Sequence, residues 1–90
     1  MDEAKVERVR AYVAGLPEHF NDDGRRVIVR RIDARECEGF RAKWEARATL
    51  LRLTDDVAVE VAEKTAEMWE TAAAVLKDAG VQTFGELLED

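Results

Sequence analysis

A chain of 90 residues with one cysteine, one histidine, one proline and no serine has little of what catalysis and covalent stapling require. Cys37 alone cannot form an internal disulfide, which excludes the stapled secreted class and predicts a reducing, cytoplasmic setting. Without serine there is no Ser-His-Asp triad, and a Cys-His pair would need Cys37 to meet His19. One histidine and one cysteine cannot build a structural zinc site, and Asn21-Asp22-Asp23-Gly24 lacks the alternating ligands and terminal glutamate of a calcium loop. A glycine-rich phosphate loop is also missing. Together these gaps predict a protein that is not an enzyme and takes no metal or cofactor. No run of about 18 apolar residues occurs, and Met1 to Val6 is acidic and amphipathic without a basic flank. Neither export nor membrane spanning is expected.

What is present describes one globular domain over residues 1–90. With 47% hydrophobic residues and only five glycines the chain is too ordered in composition for a tail and too short for two cores. Ten arginines to four lysines, fourteen alanines and a single asparagine are the bias expected of a GC-rich genome, a high-GC bacterium or its phage. The net charge of −6 is unevenly distributed. Residues 1–24 sum to −3, residues 25–53 to +5 and residues 54–90 to −8, so a basic middle lies between acidic ends.

The first element is a helix from about Asp2 to Leu16, with Val6, Val9, Val13 and Leu16 on one face, Asp2 as N-cap and Gly15-Pro17 as the stop. Residues 17–24 read as a connection closed by the Asp23-Gly24 turn signal. The β-branched run Val27-Ile28-Val29 predicts a strand over Arg25–Asp33. Residues 40–50 alternate apolar and polar, a strand pattern, although most are good helix formers. A Cys37-Glu38-Gly39 hairpin loop would oppose Ile32 to Trp44 and Ile28 to Ala48, with Arg31 facing Glu45 and Asp33 facing Lys43. That register collects apolar groups on one side and unlike charges on the other, and it favours a hairpin over a helix. Residues 55–79 form a long amphipathic helix capped by Thr54 and stopped by Gly80, and Thr83 to Glu86 opens a short last helix.

The fold class is therefore α+β, ordered helix, β-hairpin, long helix, short helix, with a mostly α chain as the alternative should residues 40–53 be helical. The expected core is Ile28, Ile32, Phe40, Trp44, Val57, Val61, Met68, Trp69, Ala72 and Leu76. A lone ribbon covered by two helices leaves open strand edges, which predicts a homodimer.

The function expected on these grounds is that of a small interaction or regulatory protein binding another macromolecule, of phage or bacterial accessory type. Glu60, Glu63, Glu67 and Glu70 on the long helix are the candidate docking face for an unidentified protein partner. The alternative is nucleic-acid binding through a basic β-ribbon carrying Arg30, Arg41, Lys43 and Arg47.

Overall fold

The computed structural model describes residues 2–89. Helix α1 spans Glu3–Ala14, and the Asp2 carboxylate accepts the Ala4 N–H at 3.0 Å to satisfy one of the orphan donors of the first turn. Strands β1, His19–Asp22, and β2, Arg25–Ile28, pair antiparallel with His19 opposite Ile28 and Asp22 opposite Arg25. Asp23 and Gly24 both take positive φ, +50° and +80°, which makes the connection a two-residue turn whose twist matches that of the strands. A 3-10 turn over Val29–Arg31 follows, buries Val29 and leads into α2, Ala34–Leu51. Helix α3 spans Asp56–Ala79 and α4 spans Phe84–Leu88.

The fold is consistent with the α+β class and with the mostly α alternative: helix, hairpin, long helix and short helix are present, but α2 stands between the hairpin and the long helix, and the hairpin is made of different residues. Residues 19–28 form it, and the segment expected to supply its second strand is a continuous helix. Cys37 therefore lies buried inside α2 and not at a hairpin tip. The proposed register fails with it. Arg41 reaches Glu45 one turn along the same helix at 2.8 Å, and Lys43 reaches Asp22 and Asp23 across to the true hairpin. The physical reason is local. Asp33 caps α2 by accepting the Glu36 N–H at 2.8 Å, and the following residues are mostly strong helix formers.

The cap of α3 is also one residue later than expected. The Asp55 carboxylate takes the N–H groups of Val57 and Ala58, both at 3.1 Å. At the other end Gly80 adopts φ +69° and Val81 N–H returns to the Leu76 carbonyl at 3.2 Å, a left-handed closure that suits glycine. Thr83 caps α4 as expected, while the Phe84 N–H donates to the Ile32 carbonyl at 3.1 Å and stitches α4 to the entry of α2.

Helices α2 and α3 form an antiparallel pair, with Ala48, Ala62, Ala66 and Ala73 all buried, so that small side chains let the two backbones approach. Helix α1, the hairpin and α4 cover one end of this pair. Trp69 is the hub there, with ring centroids 4.9 Å from Phe40, 5.9 Å from Tyr12 and 6.1 Å from Phe84. Of the expected core, Ile32, Phe40, Trp69, Ala72 and Leu76 are buried, and Ile28, Trp44 and Met68 are half-buried. Val57 and Val61 are not in it: they are 73% and 58% exposed, because α2 is the element packed along that end of α3 and they lie outside its cover. Val27, Val29, Cys37 and Leu87 are buried in their place.

Candidate functional site

An open groove lies between α2, α3 and the hairpin, and four exposed aliphatics lie toward the α2–α3 connection. Along α3, Trp69 and Thr65 line a groove, and Val61 and Val57 follow at four-residue steps toward the α2–α3 connection, each step turning about 40° around the helix. Along α2, Phe40, Lys43, Trp44 and Arg47 line it, and Leu50 follows three residues after Arg47. Leu16, Pro17 and Phe20, from the end of α1 and the start of the hairpin, form the opposite wall. The cavity measures about 310 Å³ and opens to solvent. Leu53, in the α2–α3 connection, is 89% exposed and Leu50 is 74% exposed.

Of the cations at the groove's mouth, Lys43 is already engaged. Lys43 Nζ lies 2.7 Å from Asp22 and 2.9 Å from Asp23, which holds the Asp23 carboxyl below the usual carboxylate range and raises the Lys43 ammonium above its ordinary value. The Arg47 guanidinium sits 4.5 Å above the Trp44 ring, a cation–π contact, and has no ion-pair partner among the described residues. The groove is therefore an apolar floor with a cationic edge of one free guanidinium. Its lining also holds the Tyr12 and Thr65 hydroxyls and the Asp22 carboxylate.

The residues singled out in the sequence are dispersed. Arg30 is exposed on the 3-10 turn, whereas Arg41, Lys43 and Arg47 stand on α2, so the four do not share a ribbon face. Arg41 is paired with Glu45 and Lys43 with the hairpin carboxylates. Glu60, Glu63, Glu67 and Glu70 are all exposed on α3; Glu60 pairs with Lys64 and Glu63 with Arg52, each at 3.1 Å. His19 is exposed and accepts from Arg26 Nη2 at 3.3 Å through Nδ1. Burial pushes the Cys37 thiol up to about 12, helped by the carboxylates of Asp33, Glu36 and Glu38, which leaves a thiolate fraction of roughly 10⁻⁵ at neutral pH. Among the described residues no group of three His, Cys, Asp or Glu side chains is placed to hold a metal ion, and no helix is long and apolar enough to cross a membrane.

The groove was half legible in advance. Phe40, Trp44 and Trp69 are evident as aromatics at matching spacing, but only the helical state of α2 turns Trp44 and Arg47 toward α3. The exposed strip had a weaker signal: an apolar stripe on α3 longer than α1 can cover. Comparison with known proteins finds no matching family model, no matching curated relative and no matching solved structure.

Proposed function

We propose that this is a small, non-enzymatic, cytoplasmic interaction protein that binds another macromolecule through the groove and the strip beside it. The observation that supports this is the company the exposed aliphatics keep. Leu50, Leu53, Val57 and Val61 are 58–89% exposed and lie at one end of the α2–α3 pair, next to an open groove floored by Phe40, Trp44 and Trp69. Scattered surface leucines need no explanation, whereas four exposed aliphatics gathered at one end of a helix pair that also carries a concave aromatic surface are the kind of feature that marks a contact site. Phe40, Trp44 and Trp69 supply large, rigid contact area, and Arg47 supplies one oriented charge, the residue types that dominate interface energetics.

The test is site-specific photo-cross-linking in the host that encodes the chain. A photoreactive residue at position 53 or 61 should yield a covalent adduct with a polypeptide, and one at Arg8, exposed on α1, should not. Adducts from position 8 alone, or from none of the three, would overturn the reading. Adducts with nucleic acid from 53 and 61 would also overturn it, in favour of a nucleic-acid binder.

A further inference from the structure

We propose that the groove is a binding site for a small aromatic carboxylate, with the ligand's ring among the aromatic side chains of the lining and its carboxylate at Arg47. This goes beyond the interaction reading, whose macromolecule is tested at positions 53 and 61, outside the groove.

Shape gives the first argument. Helices α2 and α3, the hairpin and the residues after α1 wall one concavity of about 310 Å³, at the small end of the range for ligand sites. The lining is ring on ring: the centroids of Phe20 and Phe40 lie 5.7 Å apart and those of Phe40 and Trp69 4.9 Å, with Tyr12 and Trp44 in the same lining. Aromatic faces at that spacing accept a further flat ring by offset or edge contact, and the volume suits one ring or two fused ones.

Unused donors give the second argument. Trp69 is 4% exposed, and its indole N–H, which can only donate, meets no protein acceptor among the described residues. No fully buried side-chain polar atom of those residues is left unpaired, so this N–H is open to the groove that Trp69 lines. Tyr12, half-buried in the same lining, has a hydroxyl without a hydrogen-bond partner among the described residues, and burial raises its pKa above the ordinary value, which keeps the proton that donates. The Arg47 guanidinium, 4.5 Å above the Trp44 ring, adds a charged donor with no ion pair among the described residues. Asp22, the carboxylate of the lining, is taken by Lys43 at 2.7 Å and by Arg25 at 4.0 Å. The groove thus offers donors and keeps its own anion occupied. A fitting ligand brings acceptors, and a carboxylate matches a guanidinium better than a neutral acceptor does. An aliphatic acid would leave the rings uncovered, and a neutral ring would leave Arg47 unmatched.

Nitrogen NMR of the full chain tests this, because each of the two tryptophans gives one indole N–H signal, told apart by Trp44→Phe. The probes are indoleacetate, which carries ring and carboxylate, tryptophol, which has a hydroxyl in place of the carboxylate, and hexanoate, which has no ring. Indoleacetate should shift the Trp69 indole N–H signal saturably, with a dissociation constant of about a millimolar or tighter for a ligand of this size. Tryptophol and hexanoate should each bind at least about tenfold more weakly. Arg47→Gln, at an exposed position, should weaken indoleacetate by roughly tenfold to a hundredfold and leave tryptophol unchanged. Thr65→Leu narrows the groove from the α3 side and should weaken both ring probes. The absence of any saturable shift with indoleacetate would overturn the site. Tryptophol binding as tightly, or Arg47→Gln binding indoleacetate as well as wild type, would overturn the role of the carboxylate, and hexanoate binding as tightly would overturn that of the ring. Polypeptide adducts at positions 53 and 61 would leave the interaction reading standing in each of these cases.

Discussion

The two tryptophans sit one on each side of the boundary between core and groove, and replacing each by alanine should separate the two roles. Trp69 is 4% exposed and touches three aromatic rings, so truncation leaves a cavity that Tyr12, Phe40 and Phe84 cannot fill without leaving their rotamers. Loss of a buried tryptophan costs about 3–5 kcal/mol. Against a total stability of about 5–13 kcal/mol for a domain of this length, that is between a quarter of it and all of it. Trp44 is half-buried at the groove wall, and its truncation removes part of an apolar contact and one cation–π contact with Arg47, together about 1–2 kcal/mol. At about 4–8 °C per kcal/mol for a small domain, Trp44→Ala should lower Tm by roughly 4–16 °C, while Trp69→Ala should lower it by at least 12 °C or abolish the transition. Urea titrations followed by far-ultraviolet circular dichroism, at a concentration where association is constant, give the comparison. Equal losses for the two variants, or a larger loss for Trp44→Ala, would refute the placement of the core around Trp69.

Three further outcomes follow from local geometry. Gly39 lies in mid-helix with open space around its Cβ position, so Gly39→Ala should stabilise by about 0.5–1 kcal/mol, whereas in Gly85→Ala the new Cβ stands 3.0 Å from the Arg30 carbonyl oxygen and should bring no gain; thermal melts of the pair decide it. Cys37, raised to about 12, stays protonated in the fold while the unfolded thiol ionises near its ordinary value. Its contribution is thus whole below that value and is lost from about pH 9 toward 12, by about 1.4 kcal/mol per pH unit; Cys37→Ala should remove this alkaline limb, and the native thiol should resist Ellman's reagent until unfolded. The depressed Asp23 carboxyl contributes above its unfolded value and loses that contribution as pH falls through the folded one, so Lys43→Gln should return its titration, followed by carboxyl carbon-13 shifts, to the ordinary carboxylate range.

Helices α1 and α3 are legible in the sequence because period and caps agree: a stripe at three- and four-residue steps begins after an aspartate and ends at a glycine, while α4 is legible from its Thr83 cap. Residues 40–50 are not, for an arithmetic reason. Positions 40, 44 and 48 are four apart, so they share a helical face and are also all even, and a strand's period of two fits them equally well. The tie is broken by Asp33 and Glu36, an N-cap signal three residues apart, and by the scarcity of β-branched side chains between Ala34 and Leu50. The true hairpin hides for the opposite reason. Its Asp23-Gly24 turn is a strong signal, but His19-Phe20-Asn21-Asp22 has no β-branched residue and reads as a connection. Charge pairing misled in detail: Lys43 and Glu45 each find an opposite charge, on partners that only the helical state brings within reach.

Val57 and Val61 were expected in the core for a sound reason, and why they are exposed is a matter of lengths. Their stripe continues through Met68, Ala72 and Val75, and nothing in its chemistry marks where cover should end. Twenty-four residues of α3 extend about 36 Å, whereas the twelve of α1 extend about 18 Å, so α1 can cover only half of the stripe. The hairpin does not cover the other half, because its four-residue strands are held beside α2 by Lys43 and by the Phe20–Phe40 contact at 5.7 Å. Helix α4 is tied to the far end of the fold through the Ile32 carbonyl and through the Arg10 Nε donation to the Leu87 carbonyl at 3.2 Å. Every short element is thus committed to the Trp69 end. Among the described residues no short element remains to lay on Val57 and Val61, and both stay exposed.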